Sequence, residues 1–261
     1  MRLTSFGQYL FAAAMMGLGI LCLIHDDFAL QWQPLPAGFP ARSILALIGA
    51  ALMAGAGAGL LFERTTKIAA LVLSAYLLIW VPFKLMPAFD SPTDSARWLG
   101  VGETLALVLG VWVLYVPFDR RFDFWAPRLL FGLCCLSFGV SHFVYADFTA
   151  AMIPAWMPGR LYWAYATGAG HCAAGVALLT LVLPRLAAAA EAAMMSSFVL
   201  IVHLPSLWWE GDPPFWGPDF RTRITLLFIA MALSASAWNL AHALRDRAWG
   251  LRLRPKAVPA S

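Results

Sequence analysis

SHFVYADFTAAMIPAWMPGRLYWAYATGAGH, residues 141–171, starts beside one histidine and ends on another. Its first residues close an apolar run, Pro154 and Pro158 break its middle, and its last part is apolar again and rich in glycine. Such a segment reads as the end of one membrane helix, an elbow lying in the interface, and the start of the next helix. An earlier segment has the same construction. At a spacing of 120, Phe11, Gly19, Asp27, Phe28 and Pro34 match Phe131, Gly139, Asp147, Phe148 and Pro154. At a spacing of 118, Pro40, Arg42, Gly57, Leu60, Leu61 and Pro87 match Pro158, Arg160, Gly175, Leu178, Leu179 and Pro205. Alanine and leucine identities mean little in apolar helices, so the Asp-Phe pair, the Pro-x-Arg step and the prolines carry the match. The sequence reads as one unit written twice.

Around the two elbows the chain is apolar throughout. Of its 261 residues 61% are hydrophobic and 12% charged, about half the charge of an average soluble domain. Apolar runs near 7–24, 43–62, 68–86, 98–117, 126–145, 161–183, 186–204 and 224–243 each approach the roughly twenty residues that cross a 30 Å hydrocarbon core. Lipid requires backbone groups to be satisfied within each segment. The expectation is therefore an all-α membrane protein with eight transmembrane helices in two tandem four-helix bundles. The first repeat is 1–120, the second 121–250, and 251–261 is a basic tail. The first run has no Ala-x-Ala cleavage site and reads as a retained helix, not a signal peptide. With four spans each, the repeats share one orientation. The second helix of each, "GAALMAGAGAG" and "GAGHCAAG", has the small residues that let helix backbones approach closely in lipid.

Charge sets the expected orientation. With the amino terminus inside, twelve of the eighteen lysines and arginines fall on the cytoplasmic side, which places both termini in the cytoplasm. The tail "RDRAWGLRLRPK" then anchors the chain at anionic lipid, and with no basic domain beside it a nucleic-acid partner is not expected. Cys22, Cys134, Cys135 and Cys172 fall inside spans and form no C-x-x-C pair, which leaves no dithiol redox centre.

Ionisable groups inside spans need a reason. His171 falls near mid-membrane, and His142 and His203 near the outer ends of the helices before and after it. Their counterparts in the first copy are Met53, Cys22 and Leu85. Three histidines on three helices can ligate a metal or haem, or hydrogen-bond a quinone carbonyl; alternatively each bonds a neighbouring backbone or hydroxyl group. Asp147 and Trp156 are expected to cover the mouth of a shared pocket, with Tyr145 nearby and with Asp27 and Asp147 capping short interfacial helices. Lys84 and Glu103 form a second polar pair, read as a salt bridge or, alternatively, as an outer-facing proton or anion site. Zinc-type spacing, P-loop and nucleophile-elbow patterns are absent. The sequence names no metal, no cofactor and no catalytic residue.

The arrangement "FGVSHFVYADF…MIPAWMPGRLYWAYATGAGHCAAGVALL…FVLIVHLP" resembles the DoxX-like family of small bacterial membrane proteins, most strongly over residues 128–205. The resemblance implies a four-helix membrane unit in the bacterial inner membrane. Founding members of that family are linked to a thiosulfate:quinone oxidoreductase, which implies a quinone- or metal-interacting component of membrane redox chemistry. The absence of cysteine pairs does not fit sulfur chemistry. The alternative is a non-catalytic scaffold that stabilises a membrane partner protein through its small-residue helices.

Overall fold

The computed structural model describes residues 5–116, 125–208, 219–247 and 249. These residues form helices, with no strand among them. The long ones are α1 (Phe6–His25), α2 (Arg42–Gly59), α3 (Thr66–Asp90), α4 (Ser95–Tyr115), α5 (Trp125–Val144), α7 (Arg160–Thr180), α8 (Pro184–Phe198) and α10 (Phe220–Ala243). The short helix α6 (Ala146–Met152) and a 3-10 turn (Leu30–Trp32) lie in the two elbows, and α9 (Leu204–Ser206) continues α8. Between α8 and α9, residues Val199–His203 widen into a π turn. Pro205, which has no amide hydrogen to return to the preceding turn, sits just beyond it.

Among the described residues seven helices are long and apolar enough to cross a membrane, the rod Pro184–Ser206 among them. α7 has the length, at 21 residues, but carries Arg160, Tyr162, Tyr165, Thr167 and His171 and is not among the seven. The expected boundary between repeats at 120/121 and the basic tail 251–261 lie outside the described residues.

Helix ends follow local chemistry. Ser5 caps α1 by accepting from the Gln8 amide at 3.1 Å, Asp94 caps α4 and Asp219 caps α10. Such caps satisfy amides that would otherwise be orphaned. Both elbows end in a left-handed residue before the next helix, Ala41 (φ 55°) and Gly159 (φ 67°). Alanine has a steric cost there that glycine escapes.

The packing places α1 against α2 and α10, and α5 against α7 and α4. α3 packs on α4, and α8 on α10, while α4 and α10 pack on each other. Thus α1, α4, α5 and α10 occupy the centre, with α2 and α3 outside on one flank and α7 and α8 on the other. Contact between α1 and α4 is slight, so each first helix leans on the last helix of the other half. Lipid tails supply little drive for helices to associate, so close backbone approach has to. A methyl added at Gly19 would lie 2.6 Å from the Ala50 carbonyl oxygen and the Ala54 amide nitrogen, and one at Gly139 would lie 2.7 Å from the Gly168 oxygen and 3.0 Å from the Cys172 nitrogen. The partners differ by 120 and 118 in number, as in the sequence match. The carbonyls at the end of the second helices are also treated alike. Gln8 donates to the Leu60 oxygen at 2.6 Å, and Arg128, 120 residues on, donates to the Leu178 oxygen.

Candidate functional site

His171 is 1% exposed, eleven residues along α7, or about 16 Å from its start at 1.5 Å per residue. Its Nδ1 lies 2.7 Å from Glu191 Oε1 on α8, with side-chain exposures of 2% and 0%. A buried ionisable group of this kind persists only when it is paired. The other carboxylate oxygen, Oε2, makes no hydrogen bond, which leaves one acceptor uncompensated at a cost of about 1–3 kcal/mol.

His142, half-buried near the end of α5, meets His171 edge to face with ring centroids 4.9 Å apart. Its Nδ1 is 2.9 Å from Thr167 Oγ1 on α7. Phe198 stacks on His142 at 6.0 Å and meets His171 at 5.9 Å, and Phe138 meets His171 at 5.7 Å. Three helices thus deliver one polar file, Glu191–His171–His142–Thr167, walled by aromatic rings. The close crossings of α5 and α7 at Gly139 and Gly168 set the spacing: a methyl on Gly168 would come within 2.9 Å of His142 Cβ.

The positions that match these in the first copy are apolar. His171 and His142 correspond to Met53 and Cys22, and Glu191, at the same spacing of 118, to Leu73, which is fully buried. Met53 lines a cavity of about 20 Å³ with Trp32, Gln33 and Trp80, room for about one water. The Trp80 indole nitrogen there makes no hydrogen bond.

Of the residues expected to share the pocket, the structure brings His142 and His171 together and leaves others apart. The His203 ring, at the end of the π turn, contacts neither, and its Nδ1 has no hydrogen-bond partner. From Glu191 the same rod must run twelve residues to reach it, about 18 Å. Tyr145 precedes α6 and donates to Asp94 Oδ1 at 3.2 Å. Asp147 lies exposed in the first turn of α6, whose N-cap is Tyr145. Trp156 is 74% exposed. Among the described residues no three His, Cys, Asp or Glu side chains gather into a set that could hold a metal ion. Glu191 bonds His171 and faces the buried Cys135 thiol, and His142 bonds a hydroxyl, so the file does not close into a ligand sphere.

Two expectations for the first copy are corrected. Lys84 and Glu103 do not form a salt bridge. Each grips the 3-10 turn instead: Lys84 donates to the Gln31 carbonyl, and Glu103 Oε2 accepts from the Trp32 indole at 2.9 Å. The turn supplies an uncharged partner to each, and the two charges act on each other only beyond salt-bridge distance. Asp27 is not a helix cap, since the 3-10 turn begins after Ala29. Its carboxylate accepts from Arg42, from the Phe28 amide at 2.7 Å and from Arg221 of α10 at 3.2 Å. Burial alone would raise its pKa, but the bonds from Arg42, Phe28 and Arg221 outweigh it and hold the carboxyl below its ordinary value. Two guanidinium partners bind a carboxylate more strongly than a helix terminus does.

The residue that sequence reasoning missed is Glu191. A signal was present: it is the sole acid in the apolar run 186–204, and the rule that singled out the histidines applies to it equally. Thr167, Phe138 and Phe198 carried no comparable signal, since hydroxyls and aromatics are ordinary in such helices. In comparison with known proteins, residues 130–241 match a family described as a domain of unknown function (DUF8561), a span that contains the whole file. No curated protein and no solved structure matches the chain.

Proposed function

We propose that the chain is a DoxX-like integral membrane protein of the bacterial inner membrane, built from two tandem four-helix repeats, whose second repeat holds a small hydrophobic ligand of the quinone type. The observation that carries this reading is the buried His171–Glu191 pair, placed deep among apolar helices where the first copy has Met53 and Leu73. Packing does not require such a pair, because the apolar version already stands in the same chain. A carboxylate–imidazole pair extended by a second imidazole suits a ligand whose polar oxygens exchange hydrogen bonds and protons while its ring lies against Phe138 and Phe198. α7 acts as the eighth span; it falls short of the hydropathy of the other seven because it carries this site.

Quinone extracted with the purified wild-type protein, and its loss in His171→Leu, tests the reading. The variant must elute as the same monodisperse species. Equal quinone retention by wild type and variant, or none in either, sinks it.

Eight spans place both termini on one side, inside by the charge division. Cysteines introduced at Gly38 and at Ser261 are expected to react and to stay protected, respectively, when intact cells meet an impermeant maleimide. Labelling at Ser261 overturns the topology.

A further inference from the structure

Hydrogen-bond chemistry around His142 separates a ring hydroxyl from a ring carbonyl. Thr167 Oγ1 has one proton and lies 2.8 Å from the Trp163 carbonyl oxygen, its closest acceptor, one turn back in α7. This back-bonding is the usual habit of a threonine inside a helix. Oγ1 therefore presents a lone pair to His142 Nδ1 at 2.9 Å, and Nδ1 carries the proton. The tautomer is assigned from these partners. In the neutral ring Nε2 is then a bare acceptor. Among the described residues no carboxylate bonds His142 to balance a charge on it; the groups facing it are Thr167, the Ala164 carbonyl, His171 and Phe198.

His171 differs because it shares a proton with Glu191. When the pair is electrically neutral, whichever member holds the proton, His171 Nε2 bears a hydrogen and donates. When the pair is anionic, Nε2 is bare and a second acceptor joins His142. The two rings meet edge to face with centroids 4.9 Å apart, so a group that bonds one ring lies beside the other. A carbonyl oxygen satisfies at most the His171 donor and leaves His142 Nε2 unmet. A hydroxyl donates to His142 and accepts from His171 through the same oxygen. In either state of the pair the hydroxyl is the better match, and Glu191 Oε2 adds a further unpartnered acceptor. Sites built to bond a hydroxyl discriminate sharply against analogues that lack it.

We infer that this site, given the ligand class proposed above, selects the quinol form over the quinone, and that Thr167 is the positioning residue that fixes the selection. Binding of a short-chain benzoquinone and of its reduced quinol is measured anaerobically on the full chain in nanodiscs. The quinol is expected to bind at least about tenfold tighter, which raises the potential of the bound two-electron couple by about 30 mV. Thr167→Val removes the lone pair and leaves only the Ala164 carbonyl to hold the tautomer, so the preference should fall. On the wild type, the 15N signal of His142 Nε2 should lie in the unprotonated range, a readout independent of any variant. Equal or tighter quinone binding that is lost in His171→Leu overturns this inference and leaves the ligand site standing. Binding of neither form, or binding indifferent to His171→Leu, overturns both. A protonated His142 Nε2, or an undiminished preference in Thr167→Val, overturns the role of Thr167 and with it the inference.

Discussion

Replacing His171 by methionine alone, or Glu191 by leucine alone, is expected to destabilise the protein by about 3–5 kcal/mol, and making both changes together to recover most of that loss. Each single change leaves one buried ionisable group without its partner at 2.7 Å, and an uncompensated buried charge is the costly outcome. The double variant has a precedent within the chain, because Met53 and Leu73 hold these positions in the first copy, 1% and 0% exposed. A buried ion pair exchanged for apolar groups that fill similar volume is often neutral or stabilising. SDS-titrated unfolding of the purified protein in mixed micelles measures all four members of the cycle. The coupling between the two changes should be large and favourable. A double variant as unstable as the worse single variant would show that the pair fits its cavity in a way the first copy does not reproduce. The stable double variant should also fail to retain quinone, separating the stability of the fold from the occupancy of the site.

That cycle rests on a comparison the sequence already allowed. Eight apolar runs place eight long helices to within a few residues, because a period of apolar residues long enough to cross lipid leaves the backbone few options. The elbows were legible from the prolines clustered at 34–40 and 154–158, where helices stop, although Pro82 and Pro87 lie inside α3 and Asp147-Phe148 inside α6. His142 and His171 were found because ionisable groups stand out in an apolar run. What could not be read was contact between helices. Whether Lys84 meets Glu103, or instead grips Gln31, depends on where the turn after α1 folds back. Whether Asp27 caps a helix or binds Arg221, 194 residues away in sequence, depends on how α10 leans on the first half. His203 shows the same gap from the other side: two helices that end at one level need not bring their last side chains together, and the π turn rotates the end of its rod. Residue types that are ordinary inside membrane helices, such as Thr167 and Phe198, acquire their meaning only from the rings beside them.

The same crossings predict a paired effect at Gly19 and Gly139. A side chain at Gly19 would strike the backbone of α2 at Ala50 and Ala54, and one at Gly139 would strike α7 at Gly168 and Cys172. Backbone atoms cannot rotate away, so leucine at either position must push two helices apart, at a cost of about 1–3 kcal/mol or more. Leucine at Gly55, which has open space where its side chain would go, should change stability by no more than about 0.5 kcal/mol. If the two halves are built alike, Gly19→Leu and Gly139→Leu should lower stability by similar amounts in the same micelle titration. Their effects on the site should differ. Gly139 lies one turn before His142 on α5, and α5 and α7 share the His142–Thr167 bond across the widened gap. Gly139→Leu should therefore abolish quinone retention, whereas Gly19→Leu, which opens the apolar copy, should leave it close to wild type in the fraction that remains folded. Retention lost equally in both variants would mean that the ligand lies between the halves and not within the second.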